Sequence, residues 1–246
     1  MMLKMCMDGT TSIRDSVTGT AFTMAGTPTT ASLLGVVAPT ISATAYTSCT
    51  IPTATIGMTA GMAMSIVCVV NTPWDGTSAA THMLFAASGT AAAANRLRML
   101  ASAGSLYALV SDAANVTYYK YGAINATNWA ASANHVCIMT RASDGTIMLY
   151  LDGAGLTSVS GTRRTEAAVN ANLYVGTNID GTFTLEGPIL TAIYNRVLST
   201  GEITSISTMT NWSSLFSSDP NNLAGSAFIT GHRISGYRIG PTNVGI

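Results

Sequence analysis

The sequence predicts an all-β chain folded as a two-sheet antiparallel sandwich, with one short helical turn near residue 200 and extended terminal arms. Three observations carry this. Short runs rich in Val, Ile, Tyr, Leu and Met recur at 64–70, 82–87, 96–101, 105–111, 115–121, 134–141, 146–152, 172–176 and 189–196. Turn residues separate them at the spacing of a sandwich or barrel. Helical periodicity, finally, is hard to find before residue 200.

Each element has a local reason. An Asp144-Gly145 turn joins the 134–141 and 146–152 runs, glycine supplying the positive φ that a tight hairpin demands. In the second arm Ile147, Leu149 and Leu151 share one face and Met148, Tyr150 and Asp152 the other, so both faces are expected to be at least partly covered. Asp152-Gly153 makes the next turn. Residues 153–171, with Arg163, Arg164 and Glu166, read as a longer polar connection. Further on, Ser199 and Glu202 stand at the spacing of a capping box, which predicts a helix of one or two turns ending before Asn211. The chain divides into a Thr-rich lead-in over 1–55 contributing edge strands, a sandwich over 56–210 and a C-terminal arm over 211–246. Within the lead-in a strand or two are expected, around 21–24 and 33–37. No internal repeat is visible.

Charged residues make up only 9% of the chain, against about 25% in an average soluble domain. Residues 16–74 hold no Asp, Glu, Lys or Arg at all. Apolar residues at 48% argue against disorder, which pairs low hydrophobicity with high charge. Two readings stand: a protein that buries charge-free surface against neighbouring subunits, or a low-charge surface domain kept soluble by Thr and Ser hydroxyls. The net charge of zero and scattered basic residues, with Arg163-Arg164 the one adjacent pair, exclude the basic stripe that nucleic acid requires. No apolar run reaches the length of about 18 residues needed to span a bilayer; the 58–70 window is broken by Thr59, Gly61 and Ser65 and reads as a buried strand. Lys4 is followed by no apolar stretch of the signal-peptide kind, so neither a cleaved signal nor a membrane partner is expected.

Catalytic chemistry finds little footing. Glycan cleavage needs two carboxylates about 5 to 10 Å apart, and the glutamates Glu166, Glu186 and Glu202 do not stand in a strand pattern that would pair them. His82, His135 and His232 are isolated from Cys, Asp or His at ligand spacing and read as structural. Cys6, Cys49, Cys68 and Cys137 form no CxxC pair and are expected as thiols, with a Cys68 to Cys137 bridge as the alternative if their strands are neighbours. Neither a nucleophile elbow nor a phosphate or dinucleotide loop occurs. No catalytic residue, cofactor or metal site is assigned, and the chain is expected not to be an enzyme. Two groups of aromatics offer a binding surface instead. Tyr118 falls on one face of its strand and Tyr119 with Tyr121 on the other, and Trp74 beside Asp75 is a second exposed candidate. Cross-strand packing is the structural alternative for these rings.

The region 64–206 resembles the laminin-G-like family, whose members share the concanavalin-A-like jelly-roll sandwich. His135-Val136-Cys137-Ile138-Met139-Thr140, then Asp144-Gly145-Thr146 and Leu149-Tyr150-Leu151-Asp152-Gly153, is similar to the family's paired strands ending in a Tyr-x-Asp-Gly turn. Leu173-Tyr174-Val175-Gly176 is similar to its short strand ending in glycine. Phe183, Gly187, Ile193-Tyr194-Asn195-Arg196-Val197-Leu198-Ser199 and Glu202-Ile203 resemble its closing strand and capped helical turn. The fragments Asp15-Ser16-Val17-Thr18-Gly19 and Gly26-Thr27-Pro28 resemble its opening turn. Asn134 stands where the family often has Trp, with Trp129 upstream, and Ile189-Leu190-Thr191 replaces the acidic pair common in the closing strand. The resemblance implies a jelly roll; among relatives, calcium bound through a loop aspartate would point to Asp75, Asp112 or Asp180. Many such domains occur in tailed bacteriophages. The expected role is therefore a non-enzymatic structural subunit of a virus particle, as a decoration, fibre or tail-associated protein made in the host cytoplasm. Its partners would be copies of itself and other virion proteins. The alternative is a lectin-like module that binds a surface glycan.

Overall fold

The structure is a computed structural model and describes residues 1–8, 12–24, 26, 29–42, 49–87, 95–166, 172–178 and 181–213. Five strands precede residue 55: β1 (Leu3–Asp8), β2 (Ser12–Asp15), β3 (Thr29–Leu33), β4 (Val36–Ile41) and β5 (Cys49–Pro52). Then come β6 (Met64–Asn71), β7 (Thr81–Ala87), β8 (Leu97–Ser102), β9 (Ser105–Ser111), β10 (Thr117–Ala123), β11 (Asn134–Arg141) and β12 (Ile147–Leu151). The chain continues through β13 (Ala154–Leu156), β14 (Ser158–Ser160), β15 (Asn172–Val175), β16 (Gly187–Tyr194) and the helix α1 (Thr200–Ser207).

These strands form two antiparallel sheets, a jelly-roll-type sandwich. The first runs β13-β12-β11-β6-β16-β1-β2, with the β3–β4 hairpin joined through β4 to β16. The second runs β14-β10-β9-β8-β7-β15-β5. Between them lies one apolar core that includes Leu3, Ile66, Phe85, Met99, Leu149 and Ile193, all less than 2% exposed.

The central strands of the first sheet are buried on both sides. The sheet's outer face carries Val67, Val69, Ile138 and Leu190 against Ile203 and Ile206 of α1. Trp212 closes the same layer and is wholly buried. This is why β6 reads as an unbroken apolar run instead of an alternating one. The helix is held by the capping box the sequence predicts: the Ser199 hydroxyl accepts from the Glu202 amide, and the Glu202 carboxylate accepts from the Ser199 amide at 2.9 Å. Arg196 adds a bidentate pair with Glu202, and its hydrogen bond, ahead of the Ser199 contacts, lowers that carboxyl to about 2.

All nine predicted strands correspond to observed ones, and the Asp144-Gly145 loop joins β11 to β12 with Gly145 at φ 82°. Three other hairpins close on two-residue turns with both φ values positive: Leu34-Gly35, Ala103-Gly104 and Asp152-Gly153. Two expectations need correction. The lead-in supplies five strands, not one or two, and β1 sits inside the first sheet between β16 and β2. Residues 33–37, read as a strand, straddle the turn between β3 and β4. The polar connection 153–171 contains β13 and β14, three residues each, too short to show a period. They belong to different sheets, so the chain crosses the open edge of the sandwich at Thr157, whose carbonyl accepts from the buried Lys120 ammonium at 3.0 Å.

Candidate functional site

The outer face of the second sheet carries an aromatic surface, and the strict alternation of β10 puts it there. Tyr118 turns inward and packs on the core, while Tyr119 and Tyr121 point outward, as the sequence predicts. Their register partners on β9 are Leu109 and Tyr107. Tyr107 stacks on Tyr121, ring centroids 5.5 Å apart and planes 22° apart, and meets Tyr119 edge-on at 6.3 Å. Nothing in the local sequence singles out Tyr107; its position directly opposite Tyr121 follows from the two-residue β8–β9 turn and the length of the β9–β10 connection, which set the register. All three tyrosines are half-buried.

Two cross-strand rows extend the surface. One runs Tyr121, Tyr107, Leu100, Met83; the other runs Tyr119, Leu109, Arg98, Ala86, Tyr174. Met83, Ala86 and Tyr174 form a small buried cluster at the centre of the face, with Leu100 packed against it. On the other side, at the open edge, Ser160 pairs Tyr119 and Ser158 pairs Tyr121, both serines exposed. Arg96 lies close enough to Tyr119 to feel its oxygen, and its Nε has no hydrogen-bond partner; burial lowers its pKa from the ordinary arginine value, with Tyr119 opposing. The assembly is a ridge of phenol rings flanked by hydroxyls and a guanidinium.

Trp74 is not an open platform. It lies between His82 (centroids 3.9 Å) and Trp129 (5.1 Å), and Trp129 stacks in turn on His135 (4.9 Å), giving a four-ring ladder. Hydrogen bonds lock each ring. Trp74 Nε1 donates to Leu185 O at 2.8 Å and Trp129 Nε1 to Thr72 Oγ1 at 3.1 Å. His82 joins Ser78 Oγ and Thr184 O; His135 joins Asp152 and Ala130 O. Both histidines are hydrogen-bonded within the fold, His135 to an aspartate that sequence spacing does not suggest, and burial holds the His82 imidazole below its ordinary value. Trp129 thus reaches His135 from upstream, although Asn134 precedes that histidine in sequence. His232 lies outside the described residues.

A shallow cleft of about 470 Å³ adjoins this ladder. Ile41, Pro73 and Pro188 supply its apolar surface and Asn71, Ser132 and Glu186 its polar groups. Glu186 and Ser132 both hold φ near +60°, a left-handed conformation uncommon for residues other than glycine.

The other acids with described side chains are committed elsewhere. Glu166 is buried on Arg141, Nη1 to Oε1 at 2.7 Å, and desolvation raises the Glu166 carboxyl despite the guanidinium beside it. Asp75 accepts from the Thr77 amide and hydroxyl, and Asp112 from the Ala114 and Val116 amides, so both carboxylates serve turns. Asp180 lies outside the described residues, among which no group of three or more His, Cys, Asp or Glu stands at metal-binding distance. Cys68 and Cys137 are direct register partners of β6 and β11, unbridged and wholly buried. Burial pushes the Cys68 thiol up to about 12, against a hydrogen bond from Thr191. The side chains of Cys6 and Cys49 lie outside the described set. No helix among the described residues is long and apolar enough to cross a membrane.

Neither a family model nor a curated protein matches the chain. Among solved structures it is similar to the binding domain of Paraclostridial Mosquitocidal Protein 1, at TM-score 0.62 and 11% identity, over 84% of this chain and 51% of that one. The botulinum neurotoxin serotype G binding domain matches at TM-score 0.62 and 13% identity over 85% and 54%. A binding domain of botulinum neurotoxin DC, solved in complex with SialylT, matches at 0.63 and 10% over 86% and 52%. The chain spans about half the length of these structures, and at such identities the likeness establishes the jelly-roll fold.

Proposed function

We propose that this chain is a non-enzymatic binding module that attaches to a surface glycan through the outer face of its second sheet. The carrying observation is the Tyr107, Tyr119 and Tyr121 cluster beside the open hydroxyls of Ser158 and Ser160. A sugar ring offers an apolar C–H face and a rim of hydroxyls; aromatic rings complement the first and phenol, serine and guanidinium groups the second. The solved structures of similar fold are binding domains, one of them in complex with SialylT. Fold alone does not specify function, so the reading rests on the tyrosine face. It needs no cofactor, and it fits the commitment of Glu166 and Glu202 to arginine partners, which takes two of the three glutamates away from acid–base work.

A second reading, a laminin-G-like structural subunit of a virus particle that assembles with copies of itself and other virion proteins, draws on the 9% charged composition. The same half-buried tyrosines suit a protein interface, where such rings are enriched. One pair of measurements separates the two. Glycan-array binding by a protein that sediments as a monomer, abolished by Tyr107→Ala, supports attachment. A stable trimer or larger form that binds no glycan and dissociates on Tyr107→Ala supports assembly and refutes the first reading.

A further inference from the structure

We infer that the cleft between β4, the end of β6 and the start of β16 is a second binding site, which takes a lysine or arginine side chain presented by a partner polypeptide. Its lining has the complementary chemistry: apolar surface from Ile41, Pro73 and Pro188, the hydroxyls of Thr40, Ser42 and Ser132, one carboxylate, Glu186, and no Lys or Arg. A long alkyl stem ending in a cation matches this, because such side chains lay their methylenes on apolar surface and keep the charged head at a polar partner.

The acceptors are unspent. Among the described residues, Glu186 makes no hydrogen bond or ion pair, although its carboxylate lies near enough to His82 to favour that imidazole's protonation. Asn71 uses its amide nitrogen twice, on Ser132 O at 3.1 Å and Asn134 Oδ1 at 2.9 Å, which leaves its carbonyl oxygen as the group still able to accept. A site holding one carboxylate and no Lys or Arg favours a cationic head group over an anion. Divalent calcium, by contrast, takes six to eight oxygen ligands, commonly several of them carboxylates, and one carboxylate stands here.

The walls are also fixed in advance. Trp74 Nε1 bonds Leu185 O, the residue before Glu186, and the Ser132 amide donates to Thr72 O at 2.7 Å, the residue after Asn71. Gly187 lies so close to the chain that a Cβ there would sit 2.2 Å from Asn71 O. Glu186 is thereby held in its left-handed conformation by neighbours on both sides, and a rigid site loses little freedom when a ligand enters. This inference is independent of the glycan reading, which concerns the opposite sheet.

The test is an amide-resolved NMR titration of the full chain with Nα-acetyl-lysine methylamide and its arginine counterpart. Nα-acetyl-norleucine methylamide, which has the stem without the charge, is the control. Saturable shifts at Asn71, Ser132, Glu186 and Gly187 are expected for one or both cationic probes. Binding should be at least about threefold weaker in Glu186→Gln, for the norleucine probe, and on raising the salt from low to high. Equal saturation by norleucine, an unchanged Glu186→Gln titration, shifts scattered over the other carboxylates, or displacement of the probes by calcium would each overturn the assignment. Were Glu186→Gln to unfold, the norleucine comparison on the unaltered chain decides alone.

Discussion

Strand β10 carries its own control, because Tyr118 and Tyr121 lie on opposite faces of one sheet. Tyr121→Ala removes the ring stacked on Tyr107 and leaves the Tyr107–Tyr119 edge contact standing. The lost pair is worth about 0.5–1.5 kcal/mol beyond area, so global stability should fall by about 1 kcal/mol. A sugar ring covering about 60 Å² of apolar surface on Tyr121 would contribute about 1.5 kcal/mol, roughly tenfold in Kd. Tyr118→Ala instead empties part of the core and should cost about 2–4 kcal/mol of stability while leaving affinity within about twofold in the protein that remains folded. Tyr121→Phe, which keeps the ring, should bind within about threefold of the original, losing one neutral hydrogen bond. Calorimetric titration with the best array glycan and urea unfolding of the same preparations give both numbers for each variant. Undiminished affinity in Tyr121→Ala, or an equal loss in folded Tyr118→Ala, would refute the assignment of the outer face.

The Arg196–Glu202 pair ties α1 to β16, and a carboxyl lowered from 4.5 to about 2 gives stability that is full above pH 4.5 and lost as pH falls toward 2. Since Arg196 is 43% exposed, screening reduces the loss to about 1 kcal/mol; urea midpoints at pH 6 and pH 3 should show it, with Glu202→Gln removing that component. His82, held below 6.5 by burial, protonates more readily in the unfolded chain, so stability should decline as pH drops below 6.5. That decline should be shallower in His82→Gln, measured between pH 7.5 and 5. Cys68 and Cys137, wholly buried with raised thiols, should resist iodoacetamide in the native protein and label fully in urea, read peptide by peptide by mass spectrometry.

What can be read from the amino-acid order divides along physical lines. Most of the central strands carry five to eight residues, enough for periodicity to show, and the capping box is a contact between residues three apart, so both are legible in the sequence alone. Strands β1, β4 and β5 escape such a reading because they also pair far along the chain, β1 and β4 with β16 and β5 with β15, with Leu3 opposite Ile193; β2 and β3, which pair only within local hairpins, are four and five residues long. Nothing within 1–55 announces such a partner. The inward and outward faces of β10 follow from period two, but placing Tyr107 needs the β9–β10 register. Trp74 looks open in sequence because Asp75-Gly76 follows it; the His82 and Trp129 rings that cover it come from elsewhere in the chain. The cleft at Glu186 joins residues from 40 to 188 and has no local signature.

The way the layers are stacked narrows where function can reside. The centre of the first sheet is covered on both sides, its inner side by the second sheet and its outer side by α1, Trp212 and the β3–β4 hairpin, while Met148 and the short strand β13 stay exposed toward its edge. That double burial also accounts for part of the low charge, because β6 and β16 have few positions at which a charged residue would reach water. Two places where described side chains are accessible and chemically differentiated are the tyrosine side of the second sheet and the end of the sandwich where β6, β16 and β4 meet. The first presents aromatic rings and hydroxyls, the second an unpaired carboxylate beside apolar surface. Because surfaces so different in chemistry stand on opposite sheets of one core, occupation of either proposed site leaves the other open, so the two titrations should be independent of each other.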